Sequence, residues 1–498
     1  MKSKLVDSVV TIRYFAFIAA ILILSGCVSH GKISLGKYNY DNIKKEYASA
    51  LCRLKNTDKE NPDKQICELR KAISLEEAIS AAFLNNPDNM MAAARIKQAQ
   101  AMIDQADSVF HPSIGFYTEY TKGDAPSVYL FRKIDQRKLP GQTDFNDPGA
   151  IENFESGINA RINLYNGGRD LLNKKIAKTN LSISIQDQKS VENALVASVI
   201  RAYYNTLAAT EYIKIARESI STVNSQLRVM KIRYEGGSVL KSDILSLKVR
   251  LATAKEELLR SRNRQKMSNA ALARILGIDP NREIKLKRPK AKALHYPIPE
   301  KYMDGVEYGL KNRPEIKTAE ERVKQAKMAL DMAVAGYLPK VDINARYYMD
   351  DESAAYETER QNWMVGLAFN WELYTGLSTP AMIKKALGQL EESLAADRKT
   401  RLSIKLDIKN VYLNLSEAQA RFEVAKSSVE MAEESLDLVK KQYEGGSSAI
   451  TRYLEAELDR NRSRMRYTNA FYDRQKAMAD AGRAMGYWLG KNKKNQDL

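Results

Sequence analysis

The sequence predicts a mostly helical chain with a small β part, built from two copies of one unit. Three features predict this fold class. A set of short motifs occurs twice in the same order. Each copy contains stretches in which apolar and polar residues alternate, which is the period of a β-strand. Each copy also ends in long segments of helical pattern without interior proline, such as residues 169–234, about 100 Å of helix.

The N-terminus has the pattern of a lipoprotein signal peptide. Basic residues precede an apolar run from Tyr14 to Leu24, which is about half the length that a bilayer-spanning helix needs. The run ends in Leu24-Ser25-Gly26-Cys27, which resembles a bacterial lipobox. That resemblance implies cleavage before a lipid-bearing Cys27, with residues 1–26 as the signal and 27–72 as a lipid-anchored segment. An ordinary signal peptide with a chance cysteine is the alternative.

Composition excludes several classes of function. The 498 residues include 79 Lys+Arg and 61 Asp+Glu, a net charge of +18 that suits either an anionic partner or a solvated helical surface. No basic cluster has interleaved aromatic residues, so nucleic-acid binding is not expected. The sequence has no phosphate-binding loop, no dinucleotide fingerprint and no Cys/His cluster with metal-ligand spacing. We therefore expect neither an enzyme nor a cofactor or metal site.

Two cysteines follow the lipobox, Cys52 and Cys67. Export would place them in an oxidising compartment, where they could form a disulfide. Two free buried thiols are the alternative.

The internal repeat defines the domains. Residues 233–238, Arg-Tyr-Glu-Gly-Gly-Ser, recur as Gln-Tyr-Glu-Gly-Gly-Ser at 442–447, an offset of 209. Upstream the offset is 227, because Asn86-Pro87 matches Arg313-Pro314. The first copy therefore contains an insertion of 18 residues. The predicted units are residues 73–277 and 296–486, with a linker at 278–295 and a tail at 487–498.

Each unit contains two segments with strand periodicity. One apolar face is expected in each segment, listed here in chain order: Ile114, Phe116, Thr118 and Tyr120; Phe154, Ile158, Ala160, Ile162 and Leu164; Val341, Ile343, Ala345 and Tyr347; Trp363, Val365, Leu367, Phe369, Trp371 and Leu373. Trp363 and Trp371 would be about 27 Å apart in an extended strand, which matches the apolar band between the aromatic girdles of an outer-membrane barrel. Phe154, Trp363 and Trp371 are the predicted girdle residues.

Four strands are too few to close a barrel, since known transmembrane barrels have at least eight. A barrel therefore requires several copies of the chain. The connections between paired strands span residues 121–153 and 348–362, so the 18-residue excess is expected as a loop at the barrel mouth. Long loops of such barrels face outward.

Long helical hairpins complete each unit. Ile220, Val223, Leu227, Met230 and Tyr234 step by three and four residues, and Val429, Ala432, Leu436, Val439 and Tyr443 do the same. This heptad pattern predicts helices that supercoil against neighbours. The glycine pairs Gly236-Gly237 and Gly445-Gly446 are expected to supply positive φ at the hairpin tips.

The duplicated order of helix, two strands and long hairpin resembles the TolC-like outer-membrane efflux protein family, in its lipoprotein branch. The resemblance covers residues 73 to 486 and includes Leu84-Asn85-Asn86-Pro87, Leu338-Pro339, Leu164-Tyr165-Asn166-Gly167-Gly168 and both Tyr-Glu-Gly-Gly-Ser turns. It implies a homotrimer with a 12-stranded β-barrel and a long α-helical periplasmic tunnel. The implied function is the exit duct of a tripartite efflux or export system, with a periplasmic adaptor protein and an inner-membrane pump, proton-driven or ABC.

The resemblance also implies two sets of site residues. The adaptor would dock on the hairpin tips, at Gly236, Gly237, Ser238, Gly445, Gly446 and Ser447; simple turn chemistry is the alternative role. Acidic residues past the tips would narrow the periplasmic entrance, at Asp243 and Glu455. The sequence departs from the family pattern at Arg452, which occupies a second acidic position. Solvated helix surface is the alternative for Glu455 and Arg452.

Two other functions fit parts of the sequence. The same barrel and tunnel would serve type I protein secretion, with a different pump and cargo. A lipid-anchored structural coiled-coil protein is an alternative of another class, against which the alternating strands argue.

Overall fold

The computed structural model describes residues 72–289, 298–353 and 360–490. Cys27, Cys52 and Cys67 lie outside these ranges, as do the signal peptide, residues 290–295 of the linker and residues 491–498 of the tail. No helix in the described ranges is both long enough and apolar enough to cross a membrane.

The two copies share four helices of equal length and two strands, and the first copy also contains the short helix α3. In each copy, helices of 11 and 21 residues precede a strand pair, and helices of 67 and 35 residues follow it. The first copy contains α1 (Leu75–Asn85), α2 (Pro87–Asp107), β1 (Ser113–Gly123), α3 (Pro126–Asp135), β2 (Ile151–Asn166), α4 (Arg169–Glu235) and α5 (Lys241–Ile275). The second contains α6 (Tyr302–Asn312), α7 (Pro314–Val334), β3 (Lys340–Asp351), β4 (Gln361–Asn370), α8 (Ser378–Glu444) and α9 (Ile450–Ala484).

Local capping explains where the first helices begin. Ser74 and Glu77 form a reciprocal capping box: the Glu77 amide donates to Ser74 Oγ at 3.2 Å, and the Ser74 amide donates to the Glu77 carboxylate at 2.6 Å. Asn86 caps α2 by accepting from the Asp88 amide at 2.9 Å, and Pro87 fits the first turn because it needs no backbone donor.

The four strands form one antiparallel sheet in the order β1-β2-β3-β4. The central pair joins the two copies, with Ile158 opposite Tyr347 and Ala160 opposite Ala345. The register leaves β1 and β4 as edge strands. It also places Phe116, Ile158, Tyr347 and Trp363 in one row across the sheet.

Two details of the predicted strands are wrong. The pairing of β2 with β3 shifts between Asn163 and Tyr165, so Leu164 lies at an irregularity instead of continuing the alternation. Strand β4 ends at Asn370, before Trp371 and Leu373. The Trp371 indole N–H instead donates to the carbonyl of Tyr337 at 2.9 Å, which holds it beside the turn before β3. Of the predicted girdle pair, Trp363 therefore lies in the strand and Trp371 does not.

The long helices pair as hairpins, α4 with α5 and α8 with α9, and α9 also packs against α4. Near the tips they share one apolar core, which includes Val223, Met230, Val439 and Tyr443 of the predicted heptads. Tyr234 is 43% exposed, whereas its repeat equivalent Tyr443 is 7% exposed. The heptad prediction is thus confirmed for Val223, Leu227, Met230, Leu436, Val439 and Tyr443, and it is wrong for the exposed Tyr234.

In each copy, the end of the second hairpin helix meets the start of a 21-residue helix. The side-chain amide of Asn86 donates to the carbonyl of Ile275 at 2.9 Å, which joins the end of α5 to the start of α2. In the second copy, Arg313 replaces Asn86 and donates to the carbonyl of Ala484 at 3.4 Å. A side chain at Gly277 would lie only 2.1 Å from the carbonyl oxygen of Asn85, so the joint requires glycine there.

The described part of the linker is anchored by matched tyrosines. Ile73 forms a parallel bridge with Leu286. The Tyr203 hydroxyl donates to the carbonyls of Ile73, at 3.0 Å, and Lys287, at 2.5 Å. Its repeat equivalent Tyr412 donates to the carbonyl of Pro299 at 2.6 Å. These two tyrosines therefore fix the segments that enter each copy.

Candidate functional site

The sheet has one apolar face and one polar face. Apolar side chains on the first face are open to the surroundings in the single chain, and the most exposed are Trp363 at 76%, Phe116 at 75%, Leu367 at 68%, Val365 at 65% and Phe369 at 60%. A soluble sheet would bury such a face against another layer. The exposed row contains no charged residue between Trp363 and Phe369 on β4, which suits contact with lipid.

The opposite face holds a network of charged and hydroxyl groups. Tyr117 on β1 donates from its hydroxyl to the Glu155 carboxylate on β2, at 2.6 Å. Arg346 on β3 donates to the Tyr117 hydroxyl, also at 2.6 Å, and pairs with Glu155. All three positions fall on the polar side of the alternation, so the network follows directly from the strand register.

Helix α3 lies across this polar face. Its Arg132 pairs with Glu155 on β2 at 2.6 Å and with Asp350 on β3 at 3.1 Å. On β4, the side-chain amide of Asn362 donates to the carbonyl of Asp135 at 3.3 Å. Asp350 is fully buried and Glu155 is 3% exposed, because α3 covers them.

The predicted mouth loop therefore contains a helix that packs back onto the sheet. The strands are longer than expected and the loop correspondingly shorter, with β1 extending to Gly123 and β2 beginning at Ile151. The sequence carried a signal for α3 that was missed. Pro126 suits a first helical turn, and the apolar residues Val128, Phe131 and Ile134 recur every three positions.

The hairpin tips end in the same turn twice. Gly237 and Gly446 have φ of 72° and 76°, whereas Gly236 and Gly445 have φ of −83° and −79°. The Ser238 amide donates to the Arg233 carbonyl at 2.9 Å, and the Ser447 amide donates to the Gln442 carbonyl at 2.8 Å. This is the Schellman arrangement, which requires positive φ at only one residue. The prediction is therefore correct for the second glycine of each pair and wrong for the first.

The three charged residues past the tips differ in their surroundings. Asp243 is half-buried and accepts a hydrogen bond from the Leu240 amide at 3.1 Å, so it caps α5. Arg452 and Glu455 lie in the first turns of α9 and are exposed. In the single chain the structure gives Asp243 a local structural role and leaves the other two available to solvent or to another molecule.

The described residues of the sheet and the hairpin tips offer surfaces for contact with other molecules. Within the described ranges, no group of three or more His, Cys, Asp and Glu residues could hold a metal ion. The described polar face has charged groups that are paired with one another at hydrogen-bond distance.

Comparison with known proteins decides the family. The model of the family described as outer membrane efflux protein matches residues 78–278 and 307–486, which are the two copies of the repeat. The chain belongs to the outer membrane efflux protein family.

Relatives and solved structures agree with this membership. The chain is 23% identical to the pyoverdine export outer membrane protein OpmQ of Pseudomonas aeruginosa, over 78% of this chain and 79% of OpmQ. It is 22% identical to the outer membrane protein TolC of Escherichia coli, over 81% of this chain and 80% of TolC. The CmeC outer membrane channel of Campylobacter jejuni superposes with a TM-score of 0.71 at 16% identity, covering 85% of this chain and 89% of CmeC.

Membership in the outer membrane efflux family confirms the main sequence predictions. The fold is TolC-like, mostly helical with a small β part, and the function is that of an outer-membrane efflux channel. Members of this family are transport channels, located in the outer membrane with a periplasmic helical portion.

Proposed function

We propose that three copies of the chain form a 12-stranded barrel and a periplasmic tunnel, the exit duct of a tripartite efflux system. Lipid on Cys27 would anchor each copy to the outer membrane. A periplasmic adaptor and an inner-membrane pump would deliver the cargo. The observation that supports this most directly is the sheet, which has an exposed apolar face, a charged face and two open edges.

Open edges favour assembly of several copies. Strands β1 and β4 each have only one neighbour in the chain, so their outer backbone donors and acceptors lack sheet partners. Such groups cannot remain unpaired in hydrocarbon, where each costs several kcal/mol. Pairing β4 of one copy with β1 of the next removes every edge, and the polar faces then line the lumen.

The exposure of repeat-equivalent residues supports a contact between the long helices of neighbouring copies as well. Within the chain, α9 covers α4, so Tyr204 and Ile215 of α4 are 3% and 8% exposed. Their repeat equivalents in α8 are Leu413 and Val424, which are 56% and 68% exposed. The equivalent covering helix would be α5, which does not pack extensively on α8 in the same chain. Helix α5 of a neighbouring copy can supply the missing contact.

The tips are the proposed adaptor-docking sites. Gly236, Gly237 and Ser238, with Gly445, Gly446 and Ser447, form two turns of the same backbone geometry at the ends of long hairpins. An adaptor could therefore recognise both turns in the same way, six times around a trimer. The Cβ-free backbone of the glycines permits close approach by such a partner.

The periplasmic entrance is the proposed gate, formed by Glu455 and Arg452 with Asp243 nearby. Glu455 and Arg452 are exposed and lie one helical turn apart, so rings of opposite charge from three copies could form ion pairs that hold the entrance closed. Asp243 also caps α5, so its substitution would perturb the turn in addition to any gating effect.

Single-channel recording in a planar bilayer tests the proposal. Purified protein should give discrete, low-conductance steps, and Glu455→Ala or Arg452→Ala should enlarge them because the ion pairs that close the entrance are lost. Glu417→Ala is the matched control, since Glu417 is a carboxylate with an exposed side chain, at 65%, in the middle of α8. A protein that remains monomeric and gives no steps in any form would contradict the channel. Unchanged steps in Glu455→Ala and Arg452→Ala would contradict the gate alone.

A further inference from the structure

We propose that α3 constricts the outer mouth of the barrel, where the α3 helices of three copies meet through Phe131. This inference rests on the proposed trimer. It concerns the end of the duct opposite the hairpin tips, and it assigns a role to the insertion that distinguishes the first copy from the second.

The position of α3 is fixed by contacts to three strands. Arg132 reaches β2 and β3 through Glu155 and Asp350, and Asp135 accepts a hydrogen bond from β4 through its backbone carbonyl. At the end of the helix, the Arg137 guanidinium donates to the carbonyl of Gln361 at 3.1 Å. The helix therefore crosses the polar face from the first copy of the repeat to the second.

These contacts are buried in the manner of a permanent interface. The Gln136 side chain is fully buried and donates to Asn153 Oδ1 at 2.7 Å, and Asn153 in turn donates to Asp350 at 2.7 Å. Ile151 is buried beneath the same segment, at 1% exposure. Buried charges that have both ion-pair and hydrogen-bond partners define one geometry, because any shift would leave a charge unpaired. These contacts therefore dock helix α3 on the polar face of the sheet in one position.

Two exposed apolar residues of α3 point away from its contacts with the sheet. Arg132 and Gln136 contact the sheet. At about 3.6 residues per turn, Ile134 lies opposite them and Phe131 lies about a third of a turn away, whereas Val128 lies on the same side as Arg132. Phe131 and Ile134, three residues apart, form an apolar stripe and are 65% and 47% exposed. A bare apolar stripe directed away from the wall needs a covering surface.

The size of the proposed barrel identifies that surface. Twelve strands about 4.8 Å apart and tilted by about 40° enclose a backbone diameter of roughly 24 Å. A helix with its side chains is about 10 Å across, and each third of the wall bears one α3. Three such helices span the mouth, so the apolar stripe of each copy meets those of the other two at the axis. The partner of the stripe is thus the same stripe in a second copy.

A ring of Phe131 side chains at the axis would exclude water and ions. Hydrophobic constrictions gate channels by dewetting, so the duct would have a closure at its outer mouth in addition to one at the periplasmic entrance. Passage of cargo then requires α3 to move, and the Arg132 ion pairs set how firmly it is held.

Disulfide crosslinking of full-length, detergent-extracted protein tests the constriction. The variant is Phe131→Cys in a background of Cys52→Ser and Cys67→Ser, with Cys27 retained. Oxidation with copper phenanthroline should convert Phe131→Cys into a disulfide-linked dimer of chains on a non-reducing gel, because the three side chains meet. Light scattering of the same sample reports whether the trimer has formed.

Val365→Cys is the matched control. Phe131 and Val365 are both 65% exposed in the single chain, but Val365 lies on the opposite, apolar face, where three copies keep it apart. Val365→Cys should crosslink several-fold less. A trimer in which Phe131→Cys crosslinks no more than Val365→Cys would overturn the constriction while leaving the channel intact. A monomer by light scattering would overturn the proposed assembly itself.

Arg132→Gln, added to Phe131→Cys, tests the anchor. Glutamine cannot pair with both Glu155 and Asp350, so α3 should leave the axis more often and the crosslinked fraction should fall several-fold. An unchanged crosslinked fraction in an intact trimer would show that Arg132 does not anchor the helix.

Discussion

At the scale of single residues, the repeat preserves positions while changing the chemistry that stabilises them. Asn86 joins two helices in the first copy through one amide hydrogen bond. Its equivalent Arg313 is a buried cation that needs partners: its guanidinium pairs with Asp407 at 2.6 Å and with Glu315 at 3.0 Å. Arg483 donates to the same Asp407 carboxylate at 2.8 Å. The second joint thus depends on charge where the first does not.

Asp407→Asn should destabilise the protein by about 2 kcal/mol, because the nearly buried Arg313 loses a charged partner. The value is below that of a fully buried pair, since Glu315 remains and the Asp407 side chain is 28% exposed. Thermal unfolding in detergent measures the loss. Asp437→Asn, an exposed pair with Lys441 on the same helix α8, is the control and should cost no more than about 0.5 kcal/mol.

The same pair predicts a pH dependence. Burial acts to raise the pKa of Asp407, but hydrogen bonds from Arg483 and Arg313 outweigh it and hold the pKa below its ordinary value. A carboxyl with a lowered pKa in the folded state stabilises the fold above its unfolded pKa, about 3.9. The free energy of unfolding of the wild type should exceed that of Asp407→Asn by a constant amount above about pH 5. This difference should vanish as the pH falls below the lowered pKa of Asp407. A difference that grows as the pH falls would contradict the assignment.

At the scale of elements, the turns at the hairpin tips separate two roles of glycine. Only Gly237 and Gly446 adopt positive φ, so only they are required by the backbone. Gly445 has ordinary φ, and a Cβ there would meet its nearest neighbour, the Lys441 carbonyl, at 3.4 Å. The backbone of the tip therefore does not require glycine at Gly236 or Gly445.

Gly446→Ala should lower the free energy of local opening at the tip by about 1 to 2 kcal/mol, because an L-residue with a side chain is disfavoured in the left-handed region. Hydrogen exchange of the tip amides should accelerate by roughly 5- to 30-fold, the factor that corresponds to this free energy. Gly445→Ala is the matched control and should leave the exchange rates unchanged. Equal effects at the two positions would show that the turn geometry is not the one described.

At the scale of the whole molecule, one helix contact of the first copy has no extensive equivalent in the described part of the second. Helix α9 packs against α4 within the chain, whereas α5 does not pack extensively against α8. The exposed Val424 and the buried Ile215 occupy equivalent positions in the repeat, and in the proposed trimer α5 of a neighbouring copy would cover Val424.

Val424→Glu should prevent formation of the proposed trimer, because a charge would be buried without a partner where α5 of a second copy would pack. Light scattering in detergent should then give the mass of one chain. Leu387→Glu is the control: Leu387 is 44% exposed on the same helix, and its repeat equivalent Lys178 is exposed too, so the trimer should persist. A Val424→Glu protein that remains trimeric would show that the interface does not include Val424.

The sequence by itself determined the features that depend on local pattern. The offset of 209, the lengths of α4 and α8, the strand alternation and the positions of both tips follow from periodicity and from glycine and proline, which act within a few residues. Family membership followed from the same repeated motifs.

Only the tertiary structure decided the features that depend on pairing between distant parts of the chain. Arg132 and Asp350 are 218 residues apart, and Arg313 and Asp407 are 94 apart. Trp371 leaves the strand to bond a turn 34 residues earlier. Such contacts are fixed by sheet register and helix stacking, which local periodicity does not encode. The placement of α3 on the charged face is therefore a property of the folded chain, since its buried ion pairs exist only when β2 and β3 lie side by side.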